Sequence, residues 1–128
     1  MTTSPTDVLA FWREAGPEKW FKKDTAFDYA IRARFLATYG AAAAGELADW
    51  EQTADGALAL TIVLDQFPRN MFRNDSRAFA ADPVARAVAG RALAQGFETG
   101  NTDRQNGGLG IVRVVELGLR SFETEFCQ

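Results

Sequence analysis

Histidine is absent from the 128-residue sequence. Its absence excludes Ser–His and Cys–His catalytic arrangements, histidine-ligated zinc or iron, and an imidazole titrating near neutral pH. Cysteine occurs once, at Cys127, so the chain can form neither an internal disulfide nor a cysteine-rich metal site. No metal and no cofactor is expected. Positive charge is in deficit, with 14 Lys and Arg against 17 Asp and Glu, for a net charge of −3. General nucleic-acid or anionic-membrane binding usually needs a basic surface, so neither is expected. Long apolar runs are missing too. The longest, Ala57 to Leu64, is interrupted by Thr61 and is far too short to span a bilayer. The first residues, Met1 to Asp7, lack a basic segment followed by an apolar one, which makes a soluble cytoplasmic protein the expectation.

What the chain does have is large apolar material: 47% hydrophobic residues, including ten Phe, three Trp and two Tyr. That suits one domain with a core of its own. Ser4-Pro5-Thr6-Asp7 reads as a helix start, and Gly16-Pro17 as its stop, with Val8, Phe11 and Trp12 on one stripe. Pro17 to Phe21 reads as a short helical turn or ordered connector. Asp24 is placed to cap a second helix from Thr25 to Tyr39, whose buried edge is Phe27, Ile31, Phe35 and Tyr39. Gly40 or Gly45 ends it. Asp28 and Arg32 stand four apart with the acid first, the favourable order for a helical ion pair. After a compact link through Trp50, Thr53 or Asp55 caps a third helix from Gly56 to Gln66. It is apolar nearly all round and is expected to be central and buried. Pro68 predicts a break or kink, and Asn70 to Asp75 a polar-aromatic loop, with or without one helical turn. Asp82-Pro83 predicts a cap and first position for a fourth long helix, Val84 to Phe97. The fold class is therefore all-α, an antiparallel helical array.

Beyond residue 97 the composition changes. Six of the eleven glycines lie between residues 96 and 118, and Ile111 to Leu117 is apolar without a clear helical or strand period. The chain thus divides into a helical domain, residues 1–97, and a divergent glycine-rich tail, residues 98–128.

The densest polar group is Asp65, Gln66, Arg69, Asn70 and Arg73, continuing to Asn74. A carboxylate following an apolar helix face needs a partner, and Arg69 or Arg73 curling back after Pro68 could supply one. One reading is a helix-end network that fixes a sharp turn. A second is a pocket for a small anion or carboxylate, built from Arg69, Arg73 and Asn70. A third makes Asp65 a general base, although no second acid or activated nucleophile stands at a diagnostic spacing. Trp12, Trp20, Trp50 and Phe67 read as core or as the wall of a pocket.

The segments Val8-Leu9-Ala10-Phe11-Trp12, Gly16 to Asp24, Phe27-Asp28, Ala44 to Leu47 with Trp50, Leu64 to Arg73, Ala78-Phe79-Ala80 and Asp82-Pro83 resemble the bacterial domain-of-unknown-function 924 family over residues 8–97. The Asp65-Gln66-Phe67-Pro68-Arg69-Asn70 string is its most specific element. The resemblance implies a tetratricopeptide-like α/α superhelix, although no self-similarity at the repeat length of about 34 residues is visible. It implies no established activity; the family's polar motif is Asp65, Gln66, Arg69, Asn70 and Arg73. It also implies a continuation with a Phe/Tyr-Leu-Pro segment, a Glu-His-Ser stretch and further helices, none of which follows Phe97. Residues 98–128 therefore read as translation in another frame ending in an early stop, or as an unrelated replacement, leaving the family fold truncated. The leading functional expectation is an interaction module for a protein or peptide partner. A binder of small anionic ligands or an enzyme using the Asp65–Arg73 cluster, and an inactive truncated fragment, are the alternatives.

Overall fold

The computed structural model describes residues 3–21, 24–73 and 75–96, without the side chains of 17, 18, 20 and 21. The Trp20 side chain, Asn74, Phe97, Cys127 and the glycine-rich tail expected over residues 98–128 lie outside this description. Among the described residues five α-helices follow one another: α1 Pro5–Phe21, α2 Thr25–Ala43, α3 Ala54–Thr61, α4 Phe67–Met71 and α5 Asp82–Ala94. Short 3₁₀ helices at Ala48–Gln52 and Ser76–Phe79 complete the links, and no strand occurs among the described residues.

Local chemistry sets most boundaries. Ser4 and Asp7 cap α1 reciprocally: the Asp7 N–H donates to the Ser4 hydroxyl at 3.2 Å and the Ser4 N–H to the Asp7 carboxylate at 3.0 Å. Inside α1, Gly16 has φ 76° and ψ 165°, so the helix breaks where Gly16-Pro17 predicts and resumes as the short helical turn to Phe21. Asp24 caps α2 by accepting the Phe27 N–H at 2.9 Å. At the far end the Gly45 alternative holds. Gly45 has φ 81°, its N–H reaches the Ala42 carbonyl at 3.0 Å, and the Glu46 N–H reaches Ala41 at 2.9 Å, the two bonds of a Schellman stop. Thr53, rather than Asp55, caps α3 through the Gly56 N–H at 2.9 Å.

Of the break or kink that the sequence predicts at Pro68, the break is overturned. The chain does not break there. Helix α3 runs through a π-helical turn, Ile62–Gln66, directly into α4, with the Phe67 N–H bonded back to the Ile62 carbonyl. Proline removes one N–H and its ring collides with the carbonyl one turn earlier. Widening one turn to π spacing relieves that collision without ending the helix. Asn70 and Met71 consequently lie in α4, the helical turn that the loop reading allowed. The fourth predicted helix also shifts, to Asp82–Ala94.

Residues 54–71 thus form one central rod, and every residue from Gly56 to Phe72 is buried. Helices α1 and α5 pack on its α3 part and α2 on its α4 part. Phe67, fully buried, is the hub. Its ring centre lies 5.6 Å from Trp12, 6.2 Å from Phe11 and 4.8 Å from Phe35. Trp12 is 1% exposed and belongs to the core, and Trp50 is half-buried against its edge.

Candidate functional site

The polar motif is presented by the π turn and the helix that follows it. Asp65, Arg69 and Arg73 recur every four residues, and Gln66 and Asn70 lie beside them on the adjoining strip. Asp65, Gln66, Arg69 and Asn70 are each buried. Charged groups this deep need partners, and two separate clusters supply them.

In the first, Arg69 bridges two carboxylates. One guanidinium nitrogen lies 3.3 Å from an Asp65 oxygen and also donates to the Asp65 backbone carbonyl. The other donates to Asp82 Oδ2 at 3.1 Å. The Gln66 amide donates to Asp65 Oδ2, and the Arg69 guanidinium carbon stands 4.9 Å from the Phe79 ring centre. Asp82 Oδ1 is buried with no hydrogen-bond donor among the described residues. Two acids face one guanidinium, so a fully ionised triad would carry an unbalanced negative charge. Burial accordingly pushes the Asp65 carboxyl up to about 6; Arg69 opposes the rise, Asp82 adds to it, and the Gln66 hydrogen bond and Arg86 oppose it more weakly.

In the second, Arg73 grips Asp28 on α2 with both arms of its fork, Nε at 2.8 Å and a terminal nitrogen at 3.1 Å, while the Asn70 amide donates to the same carboxylate at 2.9 Å. Asp28 is therefore engaged with the rod. Arg32, its expected helical partner, stands with its guanidinium carbon 5.9 Å from the Phe72 ring centre.

Asp65, Gln66 and Arg69 thus gather with Asp82, and Asn70 and Arg73 with Asp28. An incoming anion would have to displace a carboxylate from either arginine. Asp65 can exchange a proton near neutrality, but it does so 6% exposed inside the fold. No group of three or more carboxylate or thiol side chains suited to a metal occurs among the described residues.

Asp28 and Asp82 escaped the sequence reading as site residues. Asp82 was expected to cap α5, but Ala81 occupies the cap position and the Asp82 side chain turns inward to Arg69. The signal was present in charge counting, since Asp65, Arg69 and Arg73 together carry one surplus positive charge. Both acids also stand in the segments that carry the family resemblance.

Away from the motif, a groove of about 330 Å³ opens between α1 and α2, lined by Phe11, Ala15, Ala26, Phe27 and Ala30, with the charged Glu14 and Lys19. Its Phe11 and Phe27 rings stack at 5.6 Å. No described helix is long and apolar enough to cross a membrane.

Comparison with known proteins gives the same architecture. The solved structure of a protein of unknown function, ATU0120 from Agrobacterium tumefaciens, is 42% identical and superposes with a TM-score of 0.75, covering 80% of this chain. The chain spans 58% of that protein's length. No curated protein shows a significant match. The family described as "Bacterial protein of unknown function (DUF924)" matches residues 8–110, a stretch that holds all seven residues of the two ion clusters and continues past residue 97. This chain belongs to that all-helical bacterial family.

Proposed function

We propose that the chain is an interaction module for a protein or peptide partner, in which the Asp65–Arg73 motif locks the helices rather than receiving a ligand. The observation that carries this reading is the outward face of α2. Tyr29 and Leu36, two turns apart, are 74% and 40% exposed, although α2 already buries Phe27, Ile31 and Phe35 on its opposite side. A helix apolar on two opposite sides has one side more than its own core uses. Val84 and Leu93 on α5 add a second exposed apolar pair.

The tetratricopeptide-like arrangement is part of the same proposal. What supports it is that α1, α2 and α5 each pack along one shared helical rod, helix on helix without a sheet among the described residues. Tetratricopeptide-like stacks use extended helical surfaces for binding.

The test is a photo-crosslinking residue placed at Tyr29 in the full chain in its native host, with Glu46 as an exposed polar control position. The expected result is a discrete, reproducible adduct from position 29 that is absent from position 46. Identical background at both positions, repeated at Val84, would sink the reading.

A further inference from the structure

The exposed side of α2 is more than two isolated side chains. At about 100° per residue, Ala26, Tyr29, Ala30, Ala33, Leu36, Ala37 and Gly40 fall within an arc of about 120°. All are exposed except Ala30, which is half-buried at the mouth of the α1–α2 groove. The strip is about 21 Å long, or about four helical turns. No charged residue interrupts it. Arg32 borders one side and Arg34 the other, both exposed, and the only carboxylate on α2, Asp28, is turned to Arg73 and Asn70. In a chain of net charge −3 this face is therefore apolar along its middle and carries an arginine on each edge, with the Asp7 carboxylate of α1 near Arg34 alone.

We infer that this face of α2 docks an amphipathic helix of a partner protein, its apolar stripe flanked by acidic residues. The inference rests on the interaction-module reading and names its surface and partner chemistry. The alanines and Gly40 allow a second helix to approach closely, while Tyr29 and Leu36, seven residues apart, form the ridges against which it seats. The groove floored by Phe11 and Phe27 opens on the same strip at Ala26 and Ala30 and is large enough for one bulky apolar anchor. Acidic residues flanking the partner's stripe meet Arg32 and Arg34 at the rim, where charge governs selectivity and association rate. A second copy of this chain fits poorly, because a face-to-face pair sets arginine edges against arginine edges.

Fluorescence anisotropy with two designed, labelled helical peptides tests this. Both carry the same leucine stripe; one has glutamates beside it and the other lysines. The full chain should bind the glutamate peptide about tenfold or more tightly than the lysine peptide, a difference of about 1.4 kcal/mol. Arg32→Glu with Arg34→Glu should invert that order, and Tyr29→Asp with Leu36→Asp should abolish binding of both, with helix content by circular dichroism unchanged. Equal binding of the two peptides, or binding of neither, overturns the inference. Concentration-dependent dimerisation lost in Tyr29→Asp/Leu36→Asp overturns it in favour of a second copy. If binding is lost only in Val84→Asp with Leu93→Asp, the α2 surface falls while the interaction-module reading stands; that reading fails separately if crosslinking captures no partner.

Discussion

Gly56 shows how one residue is fixed by its surroundings. It is the third residue of α3, where most side chains would be acceptable to the helix itself. A β-carbon there would stand 2.0 Å from the Trp50 carbonyl oxygen and 2.9 Å from the Thr53 hydroxyl that caps the helix. The first obstacle is backbone and cannot rotate away. Alanine normally improves a helix by up to about 1 kcal/mol over glycine. Here the clash reverses the sign, and Gly56→Ala should destabilise the fold by about 1–3 kcal/mol as the Trp50 turn is forced outward. Urea unfolding measures this directly; a variant as stable as the parent would show that the 3₁₀ turn carries no packing constraint. Arg69 makes a related point about charge. Its pairing with Asp65 and Asp82 is weak support for net stability, because all three groups lose hydration, yet removing Arg69 alone would strand two buried carboxylates at a cost of about 3–5 kcal/mol.

At the scale of the element, the π turn decides what the motif can do. It keeps Pro68 inside a continuous helix and delivers Asp65 to a site where two acids share one guanidinium. The Asp65 carboxyl titrates at about 6 in the fold against an ordinary value of 3.8. Between those values the folded chain holds a proton that the unfolded chain has released. The resulting stabilisation is complete below about pH 4 and is lost as pH rises through 6, by up to about 3 kcal/mol for two pH units. Asp65→Asn removes this titration while leaving Arg69 balanced by Asp82. The stability of the parent relative to the variant should therefore fall between pH 4 and pH 7 and then level off. Urea midpoints for both chains at several pH values check this, and a constant difference across the range would contradict it. The same element marks the limit of what the sequence discloses. Caps at Ser4 and Asp24 were legible, and the cap at Thr53 and the stop at Gly45 were each one of two candidates, because each is settled within a few residues by backbone hydrogen bonding. The passage of the helix through Pro68 was not, since helices packed around the rod hold it together there. Likewise the five motif residues stood out as a string, but their acids lie far along the chain: Asp82 is 13 positions from Arg69 and Asp28 is 45 from Arg73. Local pattern carries no information about which distant carboxylate closes a pair.

For the whole molecule, the rod of residues 54–71 is the shared partner of every long helix. The two ion clusters reinforce that geometry, one tying α5 to the rod through Asp82 and the other tying α2 through Asp28. Arg91 adds a bidentate, solvent-exposed link from α5 to Glu51 in the 3₁₀ turn before the rod, at 2.8 and 3.1 Å, and such exposed pairs contribute little. A structure whose peripheral helices all lean on one element should lose them together. Phe67 tests this, because its ring touches aromatic side chains from both α1 and α2 at the centre of the rod. Phe67→Ala should cost about 3–5 kcal/mol, a large share of the roughly 5–15 kcal/mol that stabilises a domain of this size. The milder Phe67→Leu keeps the chain folded for measurement should the alanine variant fall below threshold. Far-UV circular dichroism reports helix content across all five helices, whereas fluorescence is weighted toward Trp12 in the core. For parent and variant alike the two signals should give one coincident denaturant transition, with the midpoint lowered and the slope unchanged by the substitution. If fluorescence is lost at lower denaturant than helicity, α1 detaches before the rod melts. The hub would then be a local contact and not the element on which the whole fold depends.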